Sequence, residues 1–157
     1  KSLENFFYLD LIIEIFPKAK FILTERKITD NIIGIYKKML LDISWAHSIP
    51  NITEYIDNYK NIINFFKKKY EKQLYLVKLN DLQDLKKKKV EDLFKFCNLK
   101  FNEKYFEFHK NNQFVSNASN VQIRKNLEKY DNKKYKKYFN ILKNFKDKYS
   151  WIKENLN

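Results

Sequence analysis

Two short stretches of this chain carry apolar residues without helical period, and they constrain the fold more than anything else in it. The first is Phe21-Ile22-Leu23, entered after Pro17 and followed by Thr24-Glu25-Arg26. The second is Gln73-Leu74-Tyr75-Leu76-Val77-Lys78-Leu79, followed by an exit turn at Asn80-Asp81-Leu82. Apolar runs of this length without a 3.6-residue period read as buried parallel strands. Almost everything else has helical spacing. Asn5 to Phe16 is amphipathic through Phe6, Leu9, Ile12, Ile13 and Phe16, and a helix is expected from Thr29 to about Ile43. Asn51-Ile52-Thr53-Glu54 has the form of a capping box, opening a helix whose apolar positions Tyr55, Ile56, Tyr59, Ile62, Ile63 and Phe66 lead to Tyr70. Another helix runs from near Lys87 to Cys97, and two more basic helices close the chain. Strand, helices, strand, helix is the cadence of an α/β protein with few parallel strands and mostly helices. Two strands alone make no stable open sheet, so further strands are expected.

With one glycine and two prolines in 157 residues, the chain offers no linker at which to draw a domain boundary. No apolar stretch approaches the roughly 20 residues of a membrane span, and no signal-peptide pattern opens the sequence. A soluble cytoplasmic protein with no membrane partner is expected. The single Cys97 falls in the apolar stripe Leu93, Phe94, Phe96, Cys97, as a reduced core residue does. His47 and His109 lie far apart without acidic or thiol companions, so no metal site is expected; His47 reads as a surface residue and His109 as a packing residue.

The net charge of +13 invites a nucleic-acid reading. The lysines, however, are scattered among asparagine and isoleucine, and the runs Lys67 to Lys69 and Lys86 to Lys89 flank apolar helix faces, as solvated charge does. Nucleic acid is therefore not the expected partner, although a basic surface helps to collect a small polyanion.

Of the 32 basic residues only Arg26 and Arg124 are arginine. A guanidinium grips phosphate through two parallel hydrogen bonds, which lysine cannot do. Arg26 stands at the carboxyl end of the first expected strand and just ahead of the Thr29-Asp30-Asn31 cluster, which reads as a helix start. In open α/β sheets that edge is where ligands bind, beside helix N–H groups that favour anions. Gly34, in the first two turns of this helix, costs about 1 kcal/mol relative to alanine. It marks either the close approach of another group to the backbone or a tolerated neutral position.

An ordered series of residues then resembles a known family. Lys1…Asn5-Phe6, Phe16-Pro17-x-Ala19-Lys20-Phe21-Ile22, Arg26…Asp30-Asn31…Tyr36-Lys37, Leu93-Phe94-x-Phe96-Cys97-x-Leu99, Phe108-His109-Lys110 and Ala118-Ser119-x-x-Gln122-Ile123-Arg124 are similar to the C-terminal part of sulfotransferases that use 3′-phosphoadenosine 5′-phosphosulfate (PAPS). The tetratricopeptide-associated and tyrosylprotein branch is the nearest in pattern. The resemblance implies the C-terminal part of a P-loop-NTPase-like sulfotransferase fold, with PAPS as co-substrate, no metal, and a hydroxyl-bearing peptide, sugar or small molecule as acceptor.

Position by position, the resemblance makes Arg26 the ligand of the nucleotide 3′-phosphate. It puts Gly34 where a serine usually shares that phosphate, and Lys38 at a basic position of the same site. Leu79 replaces a tyrosine that packs on the adenine. Ser119 matches a serine near the phosphosulfate, Arg124 ends the segment over the nucleotide, and Lys134 before Tyr135 matches the basic residue of an Arg/Lys-Trp pair. Lys1 matches the lysine that stabilises charge on the oxygen between phosphate and sulfate, so Lys1 and Ser119 are the catalytic candidates. The family's phosphate loop and general base would precede Lys1. Residues 1–157 are thus expected to form a single partial domain that keeps the 3′-phosphate half of the site and is inactive alone. The alternative is a non-catalytic, lysine-rich helical module that binds nucleic acid or another acidic partner.

Overall fold

A computed structural model describes residues 4–83, 87–110, 124, 131 and 133–156. They fall into two compact units, Lys1–Leu76 with Asp131–Asn157, and Val77–Tyr130.

In the first unit, a 3-10 turn at Asn5–Tyr8 leads into α1 (Leu9–Ile15), then β1 (Phe21–Glu25), α2 (Ile28–Lys38), a second 3-10 turn at Ser44–His47 and the long α3 (Ile49–Lys69). β2 (Leu74–Lys78) pairs with β1 in a two-stranded parallel sheet and runs across the boundary between the units. The chain re-enters the first unit with a 3-10 turn at Lys136–Tyr138, α6 (Phe139–Leu142), a further 3-10 turn and α7 (Ser150–Asn155). The second unit holds α4 (Leu79–Gln83), α5 (Lys87–Phe96) and a 3-10 stretch at Glu103–Lys110.

The α/β character is as expected, mostly helix around a small parallel sheet. Several local expectations are corrected. The strands are not buried on both faces: Phe21, Leu23 and Glu25 of β1 are half-buried while Ile22 and Thr24 are exposed. The physical reason is one-sided cover. Phe21, Leu23 and Leu74 pack on a cluster of Phe6, Leu9, Ile63 and Phe66 from the N-terminal turn, α1 and α3. The first expected helix loses Phe16, which is 63% exposed beyond the end of α1. α2 stops at Lys38, short of Ile43, because Met39 turns into the left-handed region at φ 43°. α3 begins ahead of the supposed capping box. Ser48 is its N-cap, accepting a hydrogen bond from the Asn51 N–H at 3.3 Å, with Pro50 in the first turn, where a missing N–H costs nothing. Asn80, Asp81 and Leu82 are helical in α4 rather than an exit turn.

The apolar stripe read along α3 is the spine of the first unit. Ile52 and Ile56 face a core made with Ile32 and Ile33 of α2 and with Phe139, Leu142, Tyr149, Trp151 and Ile152 of the C-terminal segment. Ile63 and Phe66, farther along, face α1 and the sheet. Each such side chain, once buried, contributes about 1.5–3 kcal/mol. The Trp151 indole N–H donates to Asp57 Oδ1 at 2.7 Å, fastening α7 to α3. The lysine run closing α3 lies where the helix dipole favours cations, and two of its members pair. Lys67 meets Glu25 at 3.0 Å, and Lys69 meets Asp10 at 2.8 Å, where the Tyr70 hydroxyl also donates.

In the second unit Phe94 stacks on Tyr105 and meets Phe101 edge-on, and Lys87 pairs with Glu103. Asn98 takes a left-handed φ of 58° just past α5, and the Leu99 N–H returns to the Phe94 carbonyl at 2.9 Å to close the helix. Cys97 sits in that closing turn, half-buried rather than in a core.

Candidate anion-binding site

Arg26 occupies the two-residue connection between β1 and α2. The parallel pairing fixes where β1 ends, and the short connection leaves its side chain beside the first turns of α2. Lys27 is the N-cap of α2 and makes no side-chain cap bond. The Thr29-Asp30-Asn31 cluster is therefore not a cap but the first turn itself, with Thr29 and Asp30 fully buried.

That turn holds the guanidinium. Arg26 Nε donates to the side-chain oxygen of Asn31, and Nη2 donates to the backbone carbonyl of Asp30 at 3.2 Å. Two bonds from different nitrogens orient the fork, and bonds to a charged donor are worth about 1.5–3 kcal/mol each. Gly34 completes the seat. A Cβ at this position would lie 2.9 Å from Arg26 Nη2, closer than side chains pack, and 3.9 Å from the Tyr135 hydroxyl. Of the two readings of this glycine, close approach is the one observed, and the approaching group is the chain's own arginine.

Tyr135 is delivered by the C-terminal segment. Asp131 accepts from the Lys133 N–H at 2.8 Å with its side chain and from the Lys134 N–H at 3.1 Å with its carbonyl, which sets the turn ahead of the 3-10 helix at Lys136–Tyr138. The Tyr135 ring packs against the core, with the ammonium groups of Lys37 and Lys134 at 5.7 and 5.6 Å from its centroid. Lys37 also stands over Tyr138, at 5.3 Å. The result is an arginine fork and a phenol hydroxyl brought to one glycine, with two ammonium groups beside the phenol ring. Such a donor set suits a tetrahedral oxyanion.

The structure thus brings two of the sequence candidates, Arg26 and Gly34, together, while Lys134 is exposed and stands over the ring of its neighbour Tyr135. Lys38 is exposed at the end of α2, one turn beyond Gly34, and it is Lys37 that reaches the tyrosines. Leu79, half-buried at the start of α4, and Arg124, half-buried in a 3-10 turn, belong to the second unit. Lys1 and Ser119 lie outside the described residues. Sequence reasoning missed Asn31 as a partner of Arg26, and it missed Tyr135 and Lys37. Only for Asn31 was there a local signal, a short polar side chain five positions after the arginine.

His47 is exposed as expected, its Nε2 2.9 Å from the Leu40 carbonyl. His109 is half-buried beside Phe108. Among the described residues no group of three or more His, Cys, Asp or Glu is placed to hold a metal, and no helix is long and apolar enough to cross a membrane.

The chain is 25% identical over 139 residues, 86% of its length, to an uncharacterized protein of Aquifex aeolicus (strain VF5), of which it spans 18%. No solved structure matches it. The model of the Sulfotransferase family matches residues 1–103, which include β1, Arg26, Gly34 and both strands of the sheet. With well over half of its length matched in this way, the chain belongs to the Sulfotransferase family.

Proposed function

We propose that this chain carries the 3′-phosphate-binding part of a PAPS-dependent sulfotransferase with a P-loop-NTPase-like fold, of the tetratricopeptide-associated or tyrosylprotein branch. The reaction moves a sulfuryl group from PAPS to an acceptor hydroxyl and leaves adenosine 3′,5′-bisphosphate. Its transition state is loose, so fixed cations around the departing phosphate contribute more than covalent participation. Arg26 grips the 3′-phosphate and so positions the nucleotide. Lys38 and Lys134 add positive charge to the site. The roles that resemblance gives to Lys1, Leu79, Ser119 and Arg124 complete the proposal, with a peptide, sugar or small-molecule hydroxyl as acceptor.

The observation that carries this reading is the Arg26 guanidinium. It stands at the carboxyl end of β1, oriented by Asn31 and Asp30 and packed on Gly34. A surface arginine serving only solubility gains nothing from such fixation, whereas a phosphate ligand loses less entropy on binding when its fork is already held. Calorimetric titration with adenosine 3′,5′-bisphosphate is the test. Binding that Arg26→Ala weakens by about 100-fold, in line with the loss of a bidentate charged contact, is expected. No binding, or tight binding to duplex DNA that ignores Arg26 and falls steeply with salt, overturns it.

A further inference from the structure

The geometry points to Tyr135 as a second, hydroxyl donor of the Arg26 anion site, reached from the far end of the chain. This inference rests on the reading of Arg26 as a phosphate ligand and assigns the neighbouring donor of that site.

The missing Cβ of Gly34 is the common reference point. Arg26 Nη2 and the Tyr135 hydroxyl lie 2.9 and 3.9 Å from where it would be, so they are no farther apart than the sum of those distances. A tetrahedral anion that accepts bonds of roughly 2.8 Å on two sides can bridge donors separated by up to about that limit. A side chain at position 34 would crowd Arg26 Nη2 and touch the Tyr135 hydroxyl. The glycine keeps the gap open, and the phenol brings to it a hydroxyl that residue 34 cannot provide.

Three features hold Tyr135 for this task. Its ring is packed against the core of Ile32, Ile33, Phe139 and Leu142. Its turn is fixed by Asp131. The Lys37 and Lys134 ammonium groups lie near its ring. A neutral O–H donates to phosphate without adding charge, so Tyr135 sharpens the geometry of recognition while the arginine supplies the electrostatic attraction.

The test compares adenosine 3′,5′-bisphosphate with adenosine 5′-monophosphate, which lacks the 3′-phosphate, on the 157-residue chain by calorimetry. Tyr135→Phe keeps the ring and both lysine contacts and removes only the hydroxyl. It is expected to weaken the bisphosphate about tenfold, the effect of one hydrogen bond to a charged group, and to leave the monophosphate unchanged. Tyr135→Trp, which also offers a face to the lysines without the hydroxyl, repeats the measurement should Phe disturb folding, as read by the thermal midpoint. If Arg26→Ala abolishes the preference for the bisphosphate and both Tyr135 variants retain it in full, Tyr135 is not a donor and the phosphate reading of Arg26 stands. If the parent chain does not prefer the bisphosphate at all, the Arg26 reading fails and the role of Tyr135 falls with it.

Discussion

Gly34 lowers the helical propensity of α2, and the space it leaves is filled by a guanidinium. Gly34→Ala separates the two effects, because it restores about 1 kcal/mol of propensity while its methyl meets Nη2. The arginine tip is the movable partner. Moving the tip strains its bonds to Asn31 and Asp30, so we expect the variant to be no more stable to heat than the parent and to bind adenosine 3′,5′-bisphosphate about tenfold more weakly, read by melting and calorimetry on the same sample. Tyr59 carries a different consequence of packing. Burial against the Phe6 ring, with Glu25 adding negative potential, pushes its phenol up to about 12. A group whose folded value is raised stabilises the fold fully below its unfolded value, and that contribution disappears as pH climbs through the folded one. Stability should therefore fall between about pH 10 and 12, and Tyr59→Phe should flatten that slope in urea titrations at successive pH values. At this scale the sequence made Arg26 and Gly34 legible, since each is nearly unique in its type. Tyr135 was not, because an ordinary aromatic residue acquires meaning only from what it touches, and Asn31 left only the signal of a short polar side chain near the arginine.

Among the elements, α3 was the most legible, because twenty-one helical residues repeat one apolar stripe often enough to fix its face. Its start was misread: Asn51 and Glu54 satisfy the pattern of a capping box, but Ser48 with Pro50 reaches the cap first. The end of α2 was misread for a tertiary reason. No breaker precedes Met39, and the chain leaves the helix in a left-handed turn so that Ala46 is buried and Trp45 stacks on Tyr55 at 3.7 Å. A non-glycine residue pays about 1 kcal/mol in that region. Met39 is 64% exposed and contributes little packing, so Met39→Gly should raise the free energy of unfolding by up to about 1 kcal/mol. A urea midpoint that falls instead would show that the turn is set by the methionine side chain.

Within the first unit as a molecule, residues after Asp131 supply about half of the larger core, including Phe139, Leu142, Trp151 and Ile152. The Asp57–Trp151 hydrogen bond is the polar link of that docking. Asp57→Ala leaves a buried indole N–H without its acceptor and should cost about 1–3 kcal/mol. Guanidinium unfolding should show a lower midpoint with an unchanged slope, and Trp151→Phe in the Asp57→Ala background should cost less than it does alone.

The sequence by itself determined the class of the fold, the stretch that leads into Arg26, and the placing of that arginine at the edge where a strand gives way to a helix. Those are local matters of period, propensity and residue type. Only the tertiary structure decided which groups share the space above Gly34, because Tyr135 reaches it through the packing of a distant segment onto α2 and α3. Local spacing carries no record of such a contact; it exists because apolar faces far apart in the chain are buried together.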